Sequence, residues 1–375
     1  MNEHRHYSPS ICVTHRCNLN CVYCYQQHDQ SKMSFETGKE VMKKIFASVP
    51  EECDDIHIGF IGGEPMLEFE LIRDICEYTW QRQASKPYIF FATTNGTILT
   101  EEMKQWLISN IQRFKLQLSL DGNRETQNFN RSNSFDKIDI PFFQKYYLDQ
   151  GVKMTVSEYS IQHFAENVKF IHSLGFDVHG SNLAEGNFEW DNDNNLKILA
   201  EQLTELVDFY VAHPEIKPCQ LLDKTLAFCE QKITVRKKYC GIGYGANFFD
   251  YDGTEYPCPY CTPMTFTSQE LDSIQKTDFA NDDNFIDEDC YENCYLYPVC
   301  SSCAGNNYLQ TGKFNKHERS KCRVNKLTAL FIAELQAQKI IRKQDDMDEN
   351  MRYWTIEAIK QIRNSYLEEM IFFLR

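Results

Sequence analysis

The sequence predicts an α/β protein with a mainly parallel β-sheet, because strand-like and helix-like segments alternate through its first half. The strand-like runs are short, rich in β-branched or aromatic residues, and bounded by Gly, Asn or Asp. There are six of them: residues 10–14, 55–61, 88–94, 115–120, 152–157 and 177–183. The stretches between them carry helical periodicity, and strands joined by helical crossovers pair in parallel.

The first helical segment follows residue 34 and shows a start signal. Ser34 stands where an N-cap belongs, and Glu36 and Glu40 fall on the face expected to meet solvent. The other motifs rich in small residues come directly after strands: THRCNLNC, GGEP, TTNGT and SLDG follow the first four. Ligands bind at the carboxyl ends of parallel strands, so these motifs predict one shared site.

Composition limits the classes of function. The 375 residues suffice for two domains, and a formal charge of -15 disfavours binding to a phosphate backbone. No apolar run approaches the roughly 18 to 20 residues that span a bilayer. We therefore expect a cytoplasmic protein that binds neither nucleic acid nor membrane.

Sixteen cysteines are the main chemical clue. In a reducing compartment they are more often metal ligands or catalytic thiols than bridges. Three crowd together, Cys17, Cys21 and Cys24, and eight lie between residues 240 and 322. A cubane iron-sulfur cluster takes four thiolates, so eight suit two clusters, whereas three leave one iron without a protein ligand. The remaining five are expected to be small hydrophobic core residues: Cys12, Cys53, Cys76, Cys219 and Cys229.

The Cys-x3-Cys-x2-Cys spacing with Tyr23 before the third cysteine, joined to GGEP at residues 62–65, resembles the radical S-adenosylmethionine (SAM) enzymes. The resemblance covers residues 10 to about 190 and implies a partial (β/α)6 TIM-like barrel. It implies that Cys17, Cys21 and Cys24 hold a [4Fe-4S] cluster whose fourth iron binds the amino and carboxylate groups of SAM. Reduced, that cluster would cleave SAM to methionine and a 5'-deoxyadenosyl radical that abstracts hydrogen. Taken alone, the three-cysteine loop could also be half of a zinc site.

The same resemblance implies a set of SAM-binding residues. Gly62 and Gly63 would let the backbone approach the ligand, so a side chain at Gly63 is expected to enter the space of the methionine moiety while sparing the fold. Glu64 or nearby carbonyls would accept from the ligand ammonium. The further candidates are Tyr23, Pro65, Thr94, Asn95, Ser119, Asp121, Arg131, Ser157 and Leu183. Asp121 could instead belong to a simple Asp-Gly turn, and Arg131 could be a solvent-exposed arginine.

The second cysteine group resembles the SPASM extension of peptide- and protein-modifying radical SAM enzymes. Its opening places Gly253 between Cys240 and Cys258, in a segment that reads as a β-hairpin with Asp252-Gly253 at its turn. Downstream, the gaps between Cys290, Cys294, Cys300 and Cys303 are three, five and two residues. The family's usual order is two, five and three, so the outer gaps are reversed here, and a late Cys322 completes the pattern.

The resemblance implies two auxiliary [4Fe-4S] clusters, three clusters in all. The first would be held by Cys240, Cys258, Cys261 and Cys303. The second would be held by Cys290, Cys294, Cys300 and Cys322. Zinc ribbons are the alternative for these eight thiols.

The organisation expected along the chain has four parts. A radical SAM partial barrel takes residues 1–195, a helical linker 196–235, the auxiliary-cluster domain 236–342, and a C-terminal helix 343–375. One face of that last helix is apolar and is expected to dock on the body: Ile356, Ile359, Ile362, Tyr366 and Met370.

Three functions fit these expectations. The first is a maturase that installs a thioether, carbon-carbon or carbon-oxygen crosslink in a ribosomally made peptide. The second is formylglycine formation of the sulfatase-maturase kind, disfavoured because Pro259 stands where those enzymes often carry an aspartate. The third, a non-catalytic iron-sulfur protein, has no use for GGEP.

We expect an external electron donor such as flavodoxin or ferredoxin. Only about ten residues precede the first strand, so a peptide leader would be bound by a separate protein or by the SPASM region, or would not be needed.

Overall fold

The computed structural model describes residues 5–186, 188–230, 238, 240–243 and 246–374. The chain forms two compact units whose segments alternate along the sequence. The first unit comprises Met1–Leu120, Gln127–Gly151 and Gly241–Asn281, and the second comprises Asp121–Thr126, Val152–Cys240 and Asp282–Arg375. The four-part division expected from the sequence stays a prediction.

The first unit is built on a mainly parallel sheet. Its strands are β1 (His6–Tyr7), β2 (Ser10–Thr14), β3 (Asp55–Gly62), β4 (Tyr88–Thr94), β5 (Phe114–Ser119), β8 (Phe248–Phe249) and β9 (Glu255–Tyr256). The spatial order is β5-β4-β3-β2-β8-β9, and β1 pairs with β3. Only the β8–β9 pair is antiparallel among the described pairs of this unit. The helices are α1 (Phe35–Ala47), α2 (Phe69–Trp80), α3 (Glu101–Ser109), α5 (Ile140–Tyr146) and α9 (Ser268–Ile274).

The core of the first unit lies between this sheet and its helices. Phe60 of β3 is fully buried and stacks on Phe90 of β4 and Phe114 of β5, with ring centroids 5.4 and 6.2 Å away. Helix α1 begins as the sequence predicts, because the Ser34 hydroxyl accepts a 3.0 Å hydrogen bond from the backbone N–H of Thr37.

The second unit pairs two parallel strands, β6 (Val152–Val156) and β7 (Val178–Leu183). Its helices are α6 (Phe164–Ser173), α7 (Asp193–Ala212), α8 (Ala227–Glu230), α10 (Glu288–Asn293), α11 (Ala304–Thr311), α12 (Cys322–Ile341) and α13 (Glu349–Met370). The short helix α4 (Arg124–Asn130) contains the division between the units. Helix α13 packs on α12 and α8, and Ile359, Ile362, Tyr366 and Met370 are buried there, so the predicted docking is confirmed.

All six predicted strands are present, with ends that differ by at most one residue. The predicted hairpin is also present: the Gly253 N–H donates to the Asp250 carbonyl at 2.8 Å, and Gly253 has a φ of +82°. Strand β1 was not predicted. Residues 231–235 of the predicted linker and residues 236–237 of the predicted auxiliary-cluster domain lie outside the described residues. Within the described chain, we find no helix with the length and apolar character needed to cross a membrane.

Candidate functional site

The cysteine loop, residues 17–24, begins just after β2 and is joined to the segment that ends β3. The Gly63 N–H donates to the Thr14 carbonyl at 3.0 Å, and the Glu64 N–H donates to the Arg16 carbonyl at 2.8 Å. These bonds continue the β2–β3 pairing past the strand ends. GGEP therefore fixes the backbone from which Cys17 projects.

Two further contacts hold the rest of the loop. The Asn95 side-chain amide, just after β4, donates to Asn18 Oδ1 at 2.9 Å. The Val22 N–H donates to the Asn130 carbonyl at 3.0 Å. The loop is thus tied to the carboxyl ends of β3 and β4 and to the end of α4, as a shared site requires.

The three loop thiols have the donor chemistry of an iron site. No disulfide joins any of the sixteen cysteines, all of which lie in the described part of the chain; Cys17 and Cys21 are half-buried and Cys24 is exposed. Desolvation by the surrounding protein raises the pKa of the half-buried Cys17 and, in spite of its exposed side, of Cys24, where the charge of Arg131 partly offsets the rise. Iron binding would replace these protons, as thiolate ligands require.

Glu64 has a role that the sequence did not reveal. Its buried carboxylate accepts from the Thr94 hydroxyl and the Asn95 N–H, each at 2.7 Å, and from the Met66 N–H at 3.1 Å. Burial raises its pKa, while these donors and Arg131 favour the ionised form. The carboxylate therefore joins the end of β3 to the end of β4, and the predicted contact of Glu64 or nearby carbonyls with the ligand ammonium stays a prediction.

The expectation for Gly63 was wrong in its physical reason. A Cβ placed on Gly63 would lie 2.3 Å from the Arg16 carbonyl oxygen, not in open ligand space. Gly62 is similar, because a Cβ there would lie 2.2 Å from the Thr14 oxygen. Both glycines let two backbone segments touch, so a side chain at either position disturbs the cysteine loop itself.

Arg131 is buried, with 8% of its surface exposed, and is not the solvent-exposed arginine that the sequence left open. Its guanidinium lies 5.4 Å from the ring centroid of Tyr23, and its charge acts on both Cys24 and Glu64. The first unit thus brings together the predicted residues Tyr23, Glu64, Thr94, Asn95 and Arg131 around the cysteine loop. Pro65 begins a buried 3₁₀ turn directly after Glu64.

The other predicted ligand residues divide between the units. Ser119 ends β5 in the first unit and is buried. In the second unit, Asp121 is fully buried and accepts from the Thr155 N–H at 2.9 Å, so its carboxylate fastens β6. Ser157 exchanges hydrogen bonds with Ser160, and Leu183 is buried at the end of β7. A role for these four in ligand binding stays a prediction.

A buried polar cluster beside the cysteine loop escaped sequence reasoning. His15 Nε2 lies 2.8 Å from Asp250 Oδ1, both side chains are buried, and His15 Nδ1 lies 3.3 Å from the exposed Asp29. The Cys12 thiol is close to His15 and Asp250, so this core cysteine has polar neighbours. Although burial lowers the pKa of His15, the two carboxylates outweigh it and the net pKa is raised. His15 and Asp250 are 235 residues apart, and no local pattern predicts their pairing.

The first unit also holds Cys258 and Cys261, which the sequence assigns to an auxiliary cluster. A hydrogen bond from the Cys261 thiol lowers the pKa of Cys258, so the two sulfurs are neighbours. Tyr260 lies between these two cysteines in the sequence. Its ring stacks on that of Tyr25, with ring centroids 4.8 Å apart. This stacked pair connects the chain after Cys24 to the turn that carries both thiols.

In the second unit, five of the predicted auxiliary ligands line one cavity: Cys290, Cys294, Cys300, Cys303 and Cys322. Arg319 donates to the Cys290 sulfur at 2.7 Å, and the Asn325 amide lies 3.5 Å from the Cys300 sulfur. Cys240 is half-buried. Which auxiliary cluster each of the eight cysteines would hold stays a prediction.

Residues 11–186 match the Radical SAM superfamily. Among curated proteins, the chain is 28% identical over 170 residues to an uncharacterized protein of Methanocaldococcus jannaschii, a match that spans 44% of this chain and 57% of that relative. The fold resembles that of anSMEcpe, in a structure with bound AdoMet and Cp18Cys peptide, at a TM-score of 0.66 and 18% identity over 92% of this chain and 100% of that one.

A second solved structure is also similar: SuiB of Streptococcus suis, bound to its precursor peptide SuiA. The TM-score is 0.55 at 16% identity, over 84% of this chain and 75% of SuiB. With the match over residues 11–186, these likenesses confirm the predicted fold class, a radical SAM α/β fold followed by a cysteine-rich region and C-terminal helices.

Gly63→Ala tests the packing of the two backbone segments. We expect the added methyl group to displace the Arg16 carbonyl, lowering stability by about 1–3 kcal/mol as other overpacked sites do, and to reduce the iron retained by the cysteine loop. Thermal unfolding and iron per protein after anaerobic reconstitution measure the two effects. Gly180→Ala is the matched control, because the nearest atom to a Cβ there is Cγ of the flexible Lys153 side chain, at 3.1 Å, and the Lys153 Cα is at an ordinary contact distance of 3.7 Å. Wild-type behaviour of Gly63→Ala would show that this packing is unimportant.

His15→Leu tests the buried ion pair. Removing one partner leaves the Asp250 charge uncompensated, and breaking such pairs costs about 3–5 kcal/mol. We expect a lower midpoint of anaerobic thermal unfolding, partly restored in the double variant His15→Leu/Asp250→Leu, since the uncompensated carboxylate is then absent. If the loss of stability in the double variant equals the sum of the losses in the two single variants, the residues are not energetically coupled.

Proposed function

Because residues 11–186 of this chain belong to the radical SAM superfamily, we propose that this radical SAM enzyme is a peptide maturase. In this proposal the enzyme removes hydrogen from a residue of a ribosomally made peptide and installs an oxidative crosslink. The observation that carries the proposal is the cysteine loop, whose three thiols are held by backbone bonds beside the buried charge of Arg131.

The residues of the cysteine loop fit a [4Fe-4S] cluster with one iron left for SAM. Cys17, Cys21 and Cys24 would hold the cluster, and with SAM bound this group supplies the 5'-deoxyadenosyl radical. The protein's own contribution is positioning. Arg131 offers a buried positive charge for the carboxylate of the methionine moiety, and Glu64 holds Thr94 and Asn95 at the rim of the site.

A peptide substrate is supported by the two solved relatives, which were each determined with a peptide bound. The chain adds its own support at Tyr25. This ring is 39% exposed, stacks on Tyr260, and directly follows Cys24. An exposed aromatic surface beside the radical-generating loop suits an extended peptide, whose apolar side chains gain from stacking.

The auxiliary cysteines favour electron transfer over direct binding of the peptide. Eight thiolates supply every protein ligand that two cubanes need. In the second unit, Arg319 donates to the Cys290 sulfur, and the charge of Lys224 partly offsets the burial that raises the pKa of Cys300 to about 11. Donors and positive charges around sulfur stabilise a more negative centre, which is the property that an acceptor of the leftover electron needs.

Formylglycine formation is the second candidate, favoured by the likeness to anSMEcpe, a sulfatase maturase, over the whole of that chain. That reaction needs a base for the substrate hydroxyl or thiol. Pro259 follows Cys258, and its side chain has no group that could act as a base. Its carbonyl oxygen accepts a hydrogen bond from the Thr262 hydroxyl at 3.2 Å. Without a base at this position, we favour crosslink formation.

The cluster assignment predicts iron content. Reconstituted protein should bind about twelve irons, and changing Cys17, Cys21 and Cys24 together to Ala should remove about four. The matched control changes the buried Cys53, Cys76 and Cys219 to Ala, and should keep all twelve. Iron and acid-labile sulfide analysis decides the matter, and full iron content in the first variant would refute the assignment.

The choice between the two reactions predicts different products. With SAM and a strong reductant, a cognate precursor peptide should lose about two mass units per crosslink, the two hydrogens of an oxidative closure, while a sulfatase-motif peptide should keep its mass. Mass spectrometry and hydrazide labelling of aldehydes report both results, and reactions without SAM set the background. An aldehyde on the sulfatase peptide, formed well above that background, would reverse the choice.

A further inference from the structure

Strands β1 and β3 of the first unit place two histidines and an aspartate next to one another. None of the three residues belongs to the cysteine loop. In the β1–β3 register, His6 stands opposite Asp55, and Tyr7 stands opposite Ile56. Side chains alternate between the faces of a strand. Tyr7, Ile56 and Ile58 are buried, so His6, Asp55 and His57 share the other face.

The donor atoms of these three side chains converge. His6 Nδ1 lies 2.5 Å from Asp55 Oδ1, and His57 Nε2 lies 3.5 Å from Asp55 Oδ2. The imidazole centroids are 4.4 Å apart, and one ligand atom from each residue lies within 4.8 Å of the others. Ligands of one zinc ion sit about 2.0–2.2 Å from it, so small rotations of partly exposed side chains would seat an ion among the three.

An ion pair alone does not account for this arrangement. One carboxylate needs one cationic partner, whereas here an imidazole approaches each of its two oxygens. Two cationic rings here, with planes tilted by 35° and centroids 4.4 Å apart, would place two positive charges on a single negative one. A divalent metal ion removes that conflict, because it binds neutral imidazole nitrogens and the carboxylate together.

We propose that His6, Asp55 and His57 form a binding site for a divalent transition-metal ion, separate from the iron-sulfur centres. Two imidazoles and a carboxylate suit Zn²⁺, Ni²⁺ or Co²⁺ rather than Mg²⁺ or Ca²⁺. Asp55 and His57 are fixed by a long internal strand, while His6 lies on a strand of only two residues. The bound ion therefore clamps β1 to β3.

Calorimetric titration with Ni²⁺ tests the site, using anaerobically reconstituted holoprotein so that the cluster thiols are occupied. Wild type should bind one more ion than His57→Ala, or bind it at least about 10-fold more tightly, since even the loss of outer partners of metal ligands costs 10–100-fold. His6→Ala and Asp55→Asn should show the same loss. His179→Ala is the matched control, because His179 Nε2 lies 3.7 Å from Asp177, just before β7, and this pair belongs to no three-residue metal-binding group within the described chain.

Hydrogen exchange gives an independent structural measurement. Ni²⁺ should slow amide exchange in residues 5–8 of the wild type and of His179→Ala, but not of His57→Ala. Production of 5'-deoxyadenosine should be equal in all these proteins, which separates this site from the proposed enzymatic activity. Equal Ni²⁺ stoichiometry and affinity in wild type and His57→Ala, or unchanged exchange on adding metal, would overturn the proposal.

Discussion

The backbone contact between the end of β2 and the segment Gly62–Glu64 is the constraint on which the site depends. Two hydrogen bonds, from Gly63 to Thr14 and from Glu64 to Arg16, carry the β-pairing beyond the strands. The approach is so close that neither glycine can carry a side chain. Because Cys17 follows Arg16 directly, the position of this proposed iron ligand is set by backbone geometry rather than by side-chain packing.

Within each unit, a buried carboxylate also fastens a strand. Glu64 accepts from the Asn95 N–H after β4, and Asp121 accepts from the Thr155 N–H in β6. A buried charge is costly unless it is hydrogen-bonded, so each carboxylate holds its donors firmly. The same principle operates at Asp250, where His15 is the partner. These polar residues at strand ends therefore hold the strand ends rigidly. A preorganised site requires such rigidity.

Whether a structural feature could be predicted from the sequence depended on how far apart in the chain its interacting residues lie. Strand positions and the Ser34 cap were readable because β-branched runs, bounding turns and capping side chains act within a few residues. The role of Glu64 could not be read, because its partners Thr94 and Asn95 come from another strand and any buried carboxylate at this point looks like a ligand. Strand β1 was missed because two residues give no periodicity and its pairing depends on the distant Asp55. The His15–Asp250 pair was missed for the same reason.

The reversed gaps among the auxiliary cysteines have a local explanation. Cys290 lies inside helix α10, and Cys294 ends it, with the Cys294 N–H donating to the Cys290 carbonyl at 3.0 Å. A gap of three residues on a helix is one turn, which brings both thiols to the same side. Cys300 instead ends a 3₁₀ turn, and Cys303 caps α11, so the shorter gap falls in an extended connection. All four sulfurs reach one cavity because each gap matches the local backbone.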